Sequence, residues 1–90
     1  MKAAFIEHTG APDMVQYGDL PDPTPGPGQV RVRTVAASIN PIDVYIRLGM
    51  VAMTLPRPFV TASDFAGVVD AVGEGATRFK VGDRVWGSIP

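Results

Sequence analysis

The chain has 90 residues, 46% hydrophobic and 19% charged, with a net charge of −1, a composition that fits a globular domain and not a disordered chain. It contains no cysteine, which excludes disulfides, thiolate-held zinc and a thiol nucleophile within these residues, and its eight basic residues are scattered, with no basic stripe for nucleic acid. The first apolar run covers only residues 3–6, too short for a signal-peptide core, and no later segment is long enough to span a bilayer; the expectation is a cytoplasmic protein with no membrane or nucleic-acid partner.

Residues 2–7 read as a first strand, ended by the turn cluster TGAPD at 9–13. Residues 14–20 read as a short second strand of mixed character. "PDPTPGPG" at 21–28 follows, with four prolines in eight residues. Such a stretch is a stiff surface crossover between strands and not a flexible linker. "QVRVRTVAAS" at 29–38 is the clearest strand. Val30 and Val32 alternate with Arg31 and Arg33, so one face is predicted buried and the other wet. Val35, Ala36 and Ala37 then carry the chain inward to Ser38.

A short helix is predicted over about 40–48. Asn40 is a favourable N-cap, and Pro41 falls at the first helical position, where its missing N–H does no harm. Asp43 falls at the third, where a carboxylate can reach back to the cap N–H. Ile42, Tyr45 and Ile46 share one apolar face, and Gly49 suits the position just past the helix end. Residues 50–58, apolar but without a period and ended by two prolines, read as a packed loop. Residues 64–73 contain a strand centred on 68–72, in which Gly67 allows a close backbone approach or a bulge. A short segment around Phe79 and a Gly82-Asp83 turn lead into a last strand at 84–88. Five strands and one short helix give a mainly β domain, a partly open barrel. With the chain stopping at Pro90 just after a strand, that strand needs cover from another subunit or from further chain.

Three stretches, "SINPID" at 38–43, "SDFAGVVDAVGEG" at 63–75 and "FKVGDRVWG" at 79–87, together with the opening strands and the Pro-Gly crossover, resemble the N-terminal part of the medium-chain dehydrogenase/reductase superfamily. Within it the chain looks most like the zinc-independent quinone oxidoreductase branch, which includes zeta-crystallin. The resemblance implies a GroES-like barrel for residues 1–90, truncated relative to the full catalytic domain, with the Rossmann NAD(P)-binding domain absent from this chain. The fingerprint of that domain is G-x-G-x-x-G after a strand. "GEGATR" at 73–78 lacks the third glycine and sits in a turn, so it is rejected as a nucleotide loop.

In zinc-dependent relatives a Cys-His pair leads the helix, and a Gly-His-Glu triplet precedes the later strand. The matching positions here are Asn40 and Pro41, and Ala62, Ser63 and Asp64. Zinc takes thiolate, imidazole or carboxylate ligands in a tetrahedron; Asn40 and Ser63 supply neither thiolate nor imidazole, and Asp64 alone is not a site. No metal ligand is assigned, and no stoichiometric zinc is expected. Hydride transfer to an acceptor that is already electron-poor, a quinone or an enone, remains practicable without a Lewis acid. The resemblance implies NADPH or NADH as cofactor in the complete enzyme, with Asn40, Pro41, Ile42 and Asp43 beside the nicotinamide. It implies catalytic roles for Asn40 and Tyr45, with Tyr45 lining the substrate pocket. Many relatives carry a second tyrosine in a "GLY" triplet; here the triplet is Gly49-Met50-Val51, which makes the pocket more apolar.

Plainer readings stand beside these. Capping alone explains Asn40 and Asp43, and Tyr45 also suits a core position. Asp64 suits a pairing with a base or a turn amide. His8, Arg47 and Arg57 read as surface residues, and Trp86 as core packing or as cover for a strand edge. The chain alone is expected to turn over no substrate. A homo-oligomer, or pairing through an exposed strand edge, is the expected assembly. The alternative function is an isolated GroES-like barrel acting as a non-catalytic binding module or an inactive fragment.

Overall fold

The computed structural model describes residues 1–52 and 54–88. Met53 in the predicted loop, and the expected chain end at Pro90, lie outside the described residues. The chain divides into two units, Met1–Pro21 with Ile39–Ala62, and Asp22–Ser38 with Ser63–Pro90.

The first unit is built on β1 (Lys2–Ile6), the central strand of an antiparallel sheet. On one side of it lies β2 (Gln16–Asp19), on the other the two-residue β4 (Phe59–Val60). The register pairs Lys2 with Asp19 and Phe5 with Gln16 across β2, and Ile6 with Phe59 across β4. Phe5 and Ile6 are both buried. Successive strand residues point to opposite faces, so this end of β1 is covered on both sides. The predicted second strand starts later than expected because Pro12–Met14 closes a 3₁₀ turn, with the Met14 N–H donating to the Ala11 carbonyl at 2.9 Å. Proline there fixes φ for the turn and supplies no N–H for a ladder.

The helix α1 (Pro41–Arg47) has the predicted ends. Asn40 is extended, Pro41 opens the helix, and the Asn40 N–H donates to the Asp43 carboxylate at 2.8 Å, as in a capping box. At the other end Gly49 has φ +80°. Its N–H donates to Ile46 and that of Met50 to Tyr45, both at 3.0 Å, the paired bonds of a Schellman motif. Two further bonds tie this end to the turn after β1. The Gly10 N–H donates to the Arg47 carbonyl at 2.7 Å, and the Arg47 guanidinium donates to the Gly10 carbonyl at 2.6 Å. Arg47 is therefore half-buried and structural, not the solvated residue expected.

The second unit is a sheet in the order β3-β5-β6, all antiparallel, with β3 at Val30–Ser38, β5 at Asp64–Val72 and β6 at Arg84–Ser88. β5 runs four residues further upstream than the predicted centre at 68–72. Its start, Asp64 to Gly67, pairs with both neighbours. The segment around Phe79 forms no strand. Val69 is fully buried at the middle of the sheet. The register slips between Arg31 and Val32 and between Thr34 and Ala36. The second slip leaves Val35 without a partner opposite it, and Val35 is 70% exposed, so 35–37 does not carry the chain inward. A bulge of this kind turns its extra residue out of the alternation.

Gly67 is buried opposite Thr34, and a Cβ there would collide with the Arg33 carbonyl oxygen. The Arg31 guanidinium donates to Asp70 at 2.8 Å, which holds Arg31 above its ordinary pKa. The Pro-Gly crossover is tied down by the Gly28 N–H on the Glu74 carbonyl and the Gly73 N–H on the Gln29 carbonyl, both at 2.7 Å. The structure is thus mainly β, with six strands among the described residues where five were expected, and among those residues neither sheet closes on itself as a barrel. No helix among the described residues is long and apolar enough to cross a membrane.

Candidate functional site

Asn40, Pro41, Ile42, Asp43 and Tyr45 come together because one short helix carries them all. Its rigidity has a local cause, since both ends are closed by hydrogen bonds that the sequence itself encodes. Asp43 is buried, and its carboxylate is engaged with the Asn40 N–H. It therefore works through the helix start. Ile42 and Tyr45 are 44% and 47% exposed. The helix thus offers an apolar side chain and a phenol to whatever lies against it, and Tyr45 is not a core residue.

Asp64 sits at the first position of β5, opposite Ser38 at the last position of β3, and the Ser38 hydroxyl donates to its carboxylate at 3.2 Å. The preceding Ala62 has φ +104°, a conformation that glycine adopts freely and alanine only with strain. The resemblance matches Ala62 to the glycine in the Gly-His-Glu triplet of zinc-dependent relatives. Among the described residues no group of three or more His, Cys, Asp or Glu side chains is placed to hold a metal ion.

A cavity of about 350 Å³ lies within the first unit, and none of the five helix residues above lines it. Two residues read from sequence as surface groups meet on its wall: an Arg57 guanidinium nitrogen lies 3.0 Å from His8 Nδ1. Residues 49 apart in the chain give no sequence signal of such a pairing. It exists because β4 folds the 54–60 segment back against β1. Trp86, expected in a core or over an edge, is 86% exposed. It stands on β6 opposite Ala66, whose methyl group is too small to cover an indole.

Comparison with known proteins agrees with this architecture. Residues 26–89 match the alcohol dehydrogenase GroES-like domain. The chain belongs to that family. A quinone oxidoreductase of Pseudomonas aeruginosa is 48% identical over 79 residues, which are 84% of this chain and 23% of that protein. The human quinone oxidoreductase is 37% identical over 89 residues, 98% of this chain and 27% of that protein. The crystal structure of Escherichia coli quinone oxidoreductase complexed with NADPH superposes with a TM-score of 0.86 at 30% identity, over 96% of this chain and 26% of that one. The chain spans about a quarter of the length of the curated relatives it matches.

Proposed function

We propose that this chain forms the acceptor side of the active site of an NAD(P)H-dependent, zinc-independent oxidoreductase that reduces a quinone or an enone. The observation that carries the reading is α1, a helix closed at both ends that holds Ile42 and Tyr45 accessible. Its setting is a family whose similar members are named quinone oxidoreductases. In this reading a Rossmann domain, encoded beyond these residues, binds the dinucleotide, and the complete enzyme works in the cytoplasm.

The helix start suits a flat ring. Asn40 and Pro41 fix the backbone there, Asp43 locks it, and Ile42 offers an apolar contact. A bound reduced nicotinamide supplies the hydride. Tyr45 has the remaining task. Its hydroxyl donates a hydrogen bond to the acceptor carbonyl oxygen and stabilises the charge that gathers there. Its exposure lets solvent replace the proton that the reduced oxygen takes up. The absence of imidazole and thiolate at positions 40, 41 and 63 supports hydride transfer without zinc.

The test is steady-state oxidation of NADPH with 1,4-benzoquinone by the protein expressed from its complete reading frame. Asn40→Ala and Tyr45→Phe are each expected to lower kcat/KM by about tenfold, the cost of one positioning contact or hydrogen bond in the transition state. Parental rates in both variants would remove α1 from the site.

A further inference from the structure

We propose that the cavity of the first unit is a small-molecule site, one that takes a carboxylate on an apolar body and holds the carboxylate against Arg57 and His8. Its volume of about 350 Å³ falls within the range of small-ligand pockets. Its wall is divided. Ile6, Ile46, Leu55 and Phe59 bring apolar side chains to it, and Glu7, His8 and Arg57 bring charge and hydrogen-bonding capacity. Gly49 and Val51, two positions of the triplet that the resemblance puts at the substrate pocket, also line it, whereas none of Asn40, Pro41, Ile42, Asp43 and Tyr45 does, so substitutions at Arg57 and His8 test this site apart from the hydride-transfer residues.

The chemistry of the Arg57–His8 contact selects the ligand. Arginine has no acceptor atom, so in the 3.0 Å contact the Arg57 N–H donates and His8 Nδ1 accepts. The Nε2 side of the ring is left to face a ligand. Arg57 carries a permanent positive charge. Among the described residues its one side-chain hydrogen-bond partner is this ring, and no ion pair joins it to Glu7. The remaining guanidinium N–H groups and the His8 Nε2–H are all donors. Donors alone, with a net positive charge, fit a carboxylate, which accepts at both oxygens. Glu7 opposes an anion, so the ligand's charge belongs at the Arg57–His8 corner and its body against the apolar wall. A neutral amide of the same shape would bring donors of its own and no charge, and it fits less well.

The experiment is an amide-resolved NMR titration of the 90-residue chain with sodium benzoate, with benzamide as the neutral isostere and sodium chloride as the ionic-strength control. Benzoate is expected to bind with a Kd of about 1 mM or tighter and to shift the amides of Thr9, Ile46, Gly49 and Leu55. Benzamide and the variant Arg57→Gln are each expected to weaken binding by about tenfold or more, through loss of the charge-assisted bonds. Glu7→Gln is expected to tighten it about two- to threefold by removing like-charge repulsion. Should Arg57→Gln lose the dispersed spectrum of the parent, His8→Ala decides, with an expected weakening of about threefold. Equal affinity for benzamide, unchanged affinity in the folded variants, or no shifts at the cavity amides would each overturn the proposal.

Discussion

At the scale of single residues, Asn40 and Asp43 were legible because capping is local. An asparagine, a proline and an aspartate in that order specify a helix start from within four positions. Ala62 is the opposite case. Nothing about an alanine in sequence says that its φ is +104°, and only the glycine at the matching position of zinc-dependent relatives hints at it. A strained alanine costs about 1–3 kcal/mol, and replacing it with glycine costs about 0.4–1 kcal/mol through the greater freedom of the unfolded chain. Ala62→Gly is therefore expected to stabilise the protein by about 1 kcal/mol, read as a rise of roughly 4–8 °C in Tm. An unchanged or lower Tm would show that Ala62 carries no net strain. His8 and Arg57 are exposed, as read from the sequence, but their pairing was beyond sequence reasoning, since it depends on the fold bringing positions 8 and 57 together.

The scale of the element explains which strands were legible. β3 and β6 carry their own signals, an alternating run and a Gly-Asp turn, and both lie where expected. β4 has two residues and follows a proline. It is a strand only because β1 offers a partner. The start of β5 was read within 64–73 but outside the strand centre at 68–72, because it includes an aspartate and a glycine. It is a strand because it pairs on both sides. Gly67 makes that double pairing possible. Its missing side chain lets the Arg33 carbonyl close in, and a Cβ would also lie 2.8 Å from the Val32 side chain. Gly67→Ala is expected to destabilise the β3-β5-β6 sheet by about 2–3 kcal/mol, as other overpacked sites do. Urea unfolding checks this, and a midpoint equal to the parent's would mean that the ladder yields without cost.

At the scale of the whole molecule the notable quantity is how little apolar surface is buried. Phe5, Ile6 and Val69 are the buried apolar side chains among the described residues. Tyr17, Val35, Ile39 and Trp86 are all at least 70% exposed. Sequence reasoning assigned Trp86 to core packing or to cover for a strand edge, because burial was inferred from residue type. Burial depends on the neighbours, and Trp86 stands opposite alanine. In the 90-residue chain Trp86 is expected to emit like an indole in water and to be quenched by acrylamide nearly as fast as free tryptophan. A blue-shifted, protected emission would place it under cover.

The central claim is that α1 serves hydride transfer to an electron-poor acceptor without a metal. The most direct measurement is the rate of NADPH oxidation with 1,4-benzoquinone by the complete, metal-stripped enzyme. The expected result is a rate equal to that of the untreated enzyme and well above the uncatalysed background. A rate lost on stripping and restored by zinc, or no rate in either sample, would contradict it.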